Sequence, residues 1–167
     1  MQIEILDPPL AGKKRLRDAS TVILHATAGT SIEGAVSALR RRGLSYDYLV
    51  GKDGRILKCK PLSQIAHHAG VSFGPDGSHA NAYSIGVSLV NLNDGRDPYP
   101  PEQIEATKWL VAELAEKLPS LKWIATHRDV SWPRKTDPLG LPVVPLAGRL
   151  VRWRGPQLPH SMNDAGK

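Results

Sequence analysis

Residues 21–43 read TVILHATAGTSIEGAVSALRRRG, and the change of periodicity within this stretch decides the fold class. Residues 21–24 are β-rich and continuously apolar, which suits a buried central strand. Thr30 and Glu33 then form a capping box, in which hydroxyl and carboxylate satisfy backbone N–H groups that a first helical turn leaves unpaired. Ile32, Val36 and Leu39, with Ala35, share one face of the helix that follows, and Gly43 stops it. Arg40, Arg41 and Arg42 sit at the negative end of the helix dipole, which accounts for the triplet without a partner. His25 stands at the C-terminal end of the strand, the edge at which α/β sheets bind ligands.

Downstream, residues 45–50 and 55–60 are strand-like and joined by Gly51-Lys52-Asp53-Gly54, whose Asp-Gly favours a tight hairpin turn. Residues 61–82 form a long loop carrying His67, His68 and His79; loops of such length in a compact domain are usually functional or mobile. Residues 84–92 make another strand. A second helix over 101–118 has its prolines at the N-terminus, where a missing N–H costs least, and Pro119 just beyond its end. Its expected buried stripe is Ile104, Val111, Leu114 and Leu118. Residues 122–125 are a last strand leading into His127, and a short helix is expected near 146–153. Upstream, residues 1–20 read as an irregular lead-in in which 2–6 can add an edge strand before Pro8-Pro9 ends it. Residues 156–167 read as a frayed polar tail. The order strand, helix, hairpin, strand, helix, strand predicts one α/β domain over 21–155, a mixed central sheet flanked by helices.

Bulk properties narrow the function classes. With 167 residues, 41% of them apolar and 23% charged, the chain can bury a core without staples and is not wholly disordered. The single cysteine, Cys59, excludes an internal disulfide and any multi-cysteine zinc site. A net charge of +6 favours polyanions such as nucleic acid, anionic lipid or an anionic cell wall. The basic residues are mostly scattered, however, with small clusters at 13–17, 40–42 and 149–154. Base-stacking aromatics interleaved with basic residues are absent, so no nucleic-acid partner is expected. MQIEILDPPL at the start lacks the order of a signal peptide, and no apolar run nears the roughly 20 residues that span a bilayer. Synthesis in the cytoplasm without a membrane span is the expectation.

The second informative stretch, residues 126–138, reads THRDVSWPRKTDP. It sets His127 and Asp137 on either side of a loop containing Trp132, Pro133 and Lys135. Catalytic zinc sites take three ligands from His and Asp/Glu and leave a position open; the metal lowers the pKa of a water toward about 7 and polarises a carbonyl. If the strands before His25 and His127 are neighbours, His25, His127 and Asp137 converge on one edge. Two histidines and a carboxylate also suit Fe(II), so the ligand types leave the metal open. Taken singly, His25 also reads as a hydrogen-bonded surface residue, Asp137-Pro138 as a turn, Tyr46 as a cross-strand aromatic and Lys135 as an exposed lysine.

Six segments in order change that balance: Leu24-His25-Ala26-Thr27, Ser45-Tyr46-Asp47-Tyr48-Leu49-Val50, His68-Ala69-Gly70, Ser84-Ile85-Gly86-Val87, Thr126-His127-Arg128-Asp129-Val130 and Lys135-Thr136-Asp137-Pro138. Together they resemble the zinc-dependent N-acetylmuramoyl-L-alanine amidases of the bacteriophage-lysozyme and peptidoglycan-recognition type. The resemblance implies one Zn²⁺ on His25, His127 and Asp137, with Tyr46 and Lys135 assisting catalysis. It implies His68 as a substrate-cleft position, for which a loop histidine bonded to backbone is the alternative, and it groups Thr27, Asp47 and Ser88 with it as substrate-binding positions. Asp47 stands where many members have histidine. Ser88 replaces a glutamate that serves some members as a base, leaving any base role to Tyr46 or the metal-activated water. Leu139 separates Asp137-Pro138 from Gly140, where many members read Asp-Pro-Gly.

The implied reaction is cleavage of the amide between N-acetylmuramic acid and L-alanine in peptidoglycan or muropeptides, by a monomer. A non-catalytic peptidoglycan-binding module is the competing class, against which the retained ligand set speaks. Basicity and small size favour an endolysin-like lytic enzyme; a cytoplasmic muropeptide-recycling amidase and a secreted antibacterial effector are the other settings.

Overall fold

A computed structural model describes residues 1–155; the tail expected over 156–167, with His160, lies outside the described residues. The central sheet has seven strands: β1 (Ile3–Ile5), β2 (Thr21–Ala26), β3 (Tyr48–Val50), β4 (Ile56–Lys58), β5 (Ser84–Leu89), β6 (Trp123–Thr126) and β7 (Val151–Arg152), in the order β1-β4-β3-β5-β2-β6-β7. The β3/β4 hairpin is antiparallel, and every other neighbouring pair is parallel. This is the mixed sheet expected of the sequence. β2 and β5 lie at its centre and are buried at every position; the continuous apolar run 22–24 of β2 suits a strand covered on both faces, whereas β5 alternates Ile85, Val87 and Leu89 with Ser84, Gly86 and Ser88.

The two faces of the sheet have different covers. Val22, Leu24, Tyr48, Val87 and Ile124 pack against α2 (Pro101–Lys117) through Ala106, Leu110, Val111 and Leu114. On the other face Leu49 and Leu57 meet Ile32 and Leu39 of α1 (Ile32–Arg42). Ile23 and Ala125, on the same side, instead meet Ala80, Tyr83 and Val130, the last from the short helix α3 (His127–Ser131). The second face is therefore divided between α1 and the region of the long loop and α3. His25 follows Ile23 on this face by strand alternation.

Local details correct the sequence reading in four places. The N-cap of α1 is Ser31, not Thr30: Ser31 is extended and its hydroxyl oxygen accepts from the Gly34 N–H at 3.0 Å, while Glu33 pairs with Arg55. On α2 the buried residues are Gln103, Ala106, Thr107, Leu110, Val111, Leu114 and Ala115, with Ile104 and Leu118 only partly covered. The hairpin strands are shorter than expected, because the Ser45 N–H bonds to His67 and the Asp47 N–H to Gly86. Near 146–153 there is no α-helix; a 3₁₀ turn, Val144–Leu146, is followed by β7, whose Val151 N–H bonds to Lys122. Pro142 and Pro145 each remove a helical donor there, and Gly148 has φ 55°.

Residues 1–20 are tied into the domain. β1 pairs with β4, Lys13–Lys14 pairs with Gln64–Ile65, and Leu10 and Ala19 are buried. Residues 61–82 contain that ladder, a second one between Phe73–Gly74 and Gly77–Ser78, and the start of a 3₁₀ turn, Ala80–Tyr83. Among the described residues, no helix is long and apolar enough to cross a membrane.

Candidate metal centre

Three local devices bring the ligands together. β2 and β6 are parallel neighbours with Thr126 beside Leu24, so the two strands end together. At the end of β6 the chain turns into α3 without a linker. Thr126 caps it: its hydroxyl oxygen accepts from the Asp129 N–H at 3.1 Å, and Asp129 Oδ2 accepts from the Thr126 N–H at 2.7 Å. His127 is thereby fixed as the first helical residue. The loop after α3 returns Asp137 to the same place, where its carbonyl accepts from the Arg128 N–H at 2.9 Å and its Oδ2 from the Ala26 N–H at 3.3 Å.

His25, His127 and Asp137 are all buried, and their candidate ligand atoms lie within 4.8 Å of one another. His127 Nδ1 is 3.0 Å from Asp137 Oδ1, while Asp137 Oδ2 is 3.5 Å from His25 Nδ1, longer than a good hydrogen bond. His25 Nδ1 is buried with no hydrogen-bond partner among the described residues. A donor count sharpens the point. His127 Nε2 faces the Ala69 carbonyl at 3.2 Å and its Nδ1 faces a carboxylate. With acceptors on both sides, Nε2 carries a proton and Nδ1 needs either a second proton or a metal ion. An unsatisfied imidazole nitrogen, a second aimed at the same carboxylate and the carboxylate itself form a donor set that fits a divalent metal of the Zn²⁺ type.

The electrostatics agree. Burial, and then the neighbouring His127, lower the His25 pKa to about 4, keeping it neutral as a ligand must be. Burial alone would raise Asp137, but its contacts with His127 and His25 outweigh that and hold it far below the usual carboxylate range.

A cleft of about 630 Å³ opens over this cluster, and Tyr46, Lys135, Thr27 and His68 line it. The Tyr46 ring lies 4.9 Å from that of His25, and burial, then the charge of Asp137, push its phenol up to about 12. Thr27 is half-buried, and its hydroxyl oxygen accepts from the N–H groups of Gly29 and Asn91 at 3.2 and 3.3 Å. Arg42, His67, Asn81, Asn93 and Arg134 also border the cleft. Asn81 Oδ1 accepts from the N–H groups of His68 and Ala69, and Arg134 donates to the carbonyls of Ala69 and Val71. Nothing in the local sequence marks Asn81, Asn93 or Arg134 as site residues, since each acts by holding a loop reached through the fold. Leu139 is accommodated: its N–H bonds to Asn93 Oδ1 at 2.7 Å, and Gly140 takes φ 75°.

Two expected substrate contacts are corrected. Asp47 is fully buried away from the cleft; its Oδ1 accepts from Lys60 Nζ at 3.0 Å and its Oδ2 from the Gly86 N–H at 2.8 Å. Ser88 is paired in register with His25 and is fully buried beneath the site. Its hydroxyl lies beside the Tyr46 phenol without a hydrogen bond of good geometry. Neither side chain can reach a ligand. His68 touches the cleft but is only 8% exposed, and its ring nitrogens are occupied by His25 and Ser84.

A mixed sheet with two histidines and a carboxylate meeting at adjoining strand ends, beneath a cleft, defines an α/β domain with a candidate metal site. The chain belongs to the N-acetylmuramoyl-L-alanine amidase family Amidase_2, whose model matches residues 15–140. The 1,6-anhydro-N-acetylmuramyl-L-alanine amidase AmpD of Enterobacter cloacae is 35% identical over 98 residues, 57% of this chain and 50% of that protein. The chain thus spans about half the length of that relative, and 37% and 48% of two further amidases that it matches. Among solved structures, the amidase AmiD from E. coli in complex with anhydro-N-acetylmuramic acid-L-Ala-D-gamma-Glu-L-Lys superposes with a TM-score of 0.66 at 26% identity, over 78% of this chain and 56% of that one. The Ph2119 endolysin from a Thermus scotoductus bacteriophage shares the fold, with a TM-score of 0.67 at 21% identity over 89% and 98% of the two chains.

Proposed function

We propose that this domain hydrolyses the amide between the lactyl group of N-acetylmuramic acid and L-alanine of a peptidoglycan stem peptide, with one Zn²⁺ held by His25, His127 and Asp137. The observation that carries this is the convergence of those three buried donors beneath a cleft also lined by Tyr46 and Lys135. When bound, zinc supplies Lewis acidity toward the amide carbonyl and makes water nucleophilic near neutral pH. The chain's own groups divide the remaining work. Lys135, on the cleft wall, presents an ammonium to the oxygen that becomes negative as the carbonyl is attacked. Tyr46, held protonated by its buried setting, donates rather than accepts; its phenol hydrogen-bonds the reacting centre and passes a proton toward the departing amine. Asp137 keeps its negative charge through the neutral range and balances the metal.

The substrate class we assign is the soluble anhydro-muropeptide. The AmpD and AmiD relatives named for, or bound to, anhydro-sugar substrates are 35% and 26% identical to this chain, and the endolysin likeness extends to fold alone. The net charge of +6 favours a second substrate, the anionic wall itself, and with it the lytic setting. Purified protein is to be incubated separately with anhydro-muropeptide and with intact sacculi, with and without chelator, while free L-alanine amino termini are counted. Release from anhydro-muropeptide that stops on zinc removal and resumes on its return is expected. Undiminished release after zinc removal would overturn the metal assignment, new reducing sugar would make the enzyme a glycosidase, and release from sacculi alone would favour the lytic setting.

A further inference from the structure

We infer that His68 is a positioning residue for the metal ligand His25, and that residues 68 and 69 together orient both histidines of the centre; this rests on the zinc assignment above. His25 Nε2 lies 2.8 Å from His68 Nδ1, and His68 Nε2 lies 3.1 Å from Ser84 Oγ. His127 Nε2 lies 3.2 Å from the carbonyl oxygen of Ala69. Both candidate ligands therefore turn Nδ1 toward Asp137 and Nε2 toward one short piece of loop. For His25 to offer a lone pair at Nδ1, its proton must reside on Nε2, and an acceptor is then required there. His68 Nδ1 is that acceptor, its own Nε2–H donating to the Ser84 hydroxyl. Outer partners of this kind fix the tautomer and ring orientation of a metal-bound histidine.

The surroundings are built for this contact. A Cβ on Gly86 would lie 2.7 Å from His68 Cγ, so the ring can rest on β5 only because residue 86 is glycine. Asn81 Oδ1 accepts from the N–H groups of His68 and Ala69 at 3.1 and 2.8 Å, clamping both partners with one side chain. The side chains of Arg134 and Ser131 donate to the Ala69 carbonyl at 2.7 and 3.2 Å. A histidine this enclosed reads out the state of its neighbour rather than gripping a substrate.

The test exploits the difference between Asn and Gln as histidine surrogates. Asn can place an acceptor where His68 Nδ1 lies, Gln mimics Nε2 and reaches Ser84 instead, and Phe fills the space with no acceptor. Zinc affinity is measured by competition with a chromophoric chelator for the full chain and its H68N, H68Q and H68F variants. Melting curves of the zinc-free proteins confirm that each is folded. H68N should bind close to wild type, whereas H68Q and H68F should bind about 10–100-fold more weakly. H68Q and H68F binding as tightly as wild type, or H68N weakening as much as H68F, would overturn the proposal while leaving the zinc assignment intact. A wild-type chain that takes up no zinc would overturn both. If the Phe variant does not fold, the comparison of Asn with Gln decides.

Discussion

Lys60→Met tests the structural assignment of Asp47. The two side chains are fully buried, with Lys60 Nζ 3.0 Å from Asp47 Oδ1 and also donating to the carbonyls of Pro61 and Gln64. Burial pushes the Asp47 carboxyl up and the Lys60 ammonium down, and their attraction only partly offsets either. Removing the lysine leaves Asp47 with the Gly86 N–H as its donor and no cation in contact. An uncompensated buried charge of this kind costs about 3–5 kcal/mol, a large share of the ~5–15 kcal/mol that holds a typical domain together. In a chain of this size that is a fall in Tm of about 6–20 °C. The double variant D47N/K60M, which deletes both charges and keeps an acceptor for the Gly86 N–H, should recover most of the loss. Urea denaturation of wild type, both single variants and the double variant supplies the comparison, with KM measured on the folded variants. K60M within about 1 kcal/mol of wild type would show that the pair is hydrated. A raised KM in D47N at unchanged stability would return Asp47 to the substrate side.

Further outcomes follow from the same geometry. Asp137→Ala should lose zinc and turnover together, whereas Lys135→Ala should retain zinc by chelator competition and lose about 10²–10³ in kcat. Gly86→Ala pushes a methyl group into the His68 ring and should weaken zinc binding although residue 86 is no ligand; unchanged affinity would show that the ring can move freely. In zinc-free protein His25 titrates near pH 4 when folded and near 6.5 when unfolded. The unfolded chain therefore binds the extra proton between those values, so stability is full above about pH 6.5 and falls as pH drops toward 4, by up to ~3 kcal/mol. Denaturation in chelator across that range would contradict this if stability stayed flat.

The α/β order was legible because local periodicity reports burial: β2 carries the apolar run 22–24, β5 sets Ile85, Val87 and Leu89 at alternate positions, and α1 carries one apolar face. The candidate trio was legible because His25 and His127 sit at the ends of strands and Asp137 lies in the loop after the second; strand adjacency and the return of that loop were the missing facts. What escaped depends on contacts between distant segments. Five residues are too few for α3 to show a helical period; its signal was the Thr126-x-x-Asp129 cap, masked by the strand running into it. β7 is two residues long and exists because β6 offers an edge. Asp47 follows Tyr46 in sequence, but its ion pair crosses the hairpin, and only the fold shows that Lys60 claims it. Ser88 lies on the correct face of β5 at the wrong depth, which alternation cannot measure.

The pairing of β2 with β6 has a consequence for how the domain matures. These neighbours are separated in the chain by both long helices, so their contact closes a long loop and belongs among the slower events of folding. Until β6 docks, a partly made chain has His25 without His127 and Asp137, the other two members of the candidate ligand set. On the proposed assignment, zinc would therefore not template this domain as it templates a small finger; it would stabilise the finished one in proportion to the logarithm of free metal over Kd. Metal uptake would then follow the docking of β6 on β2.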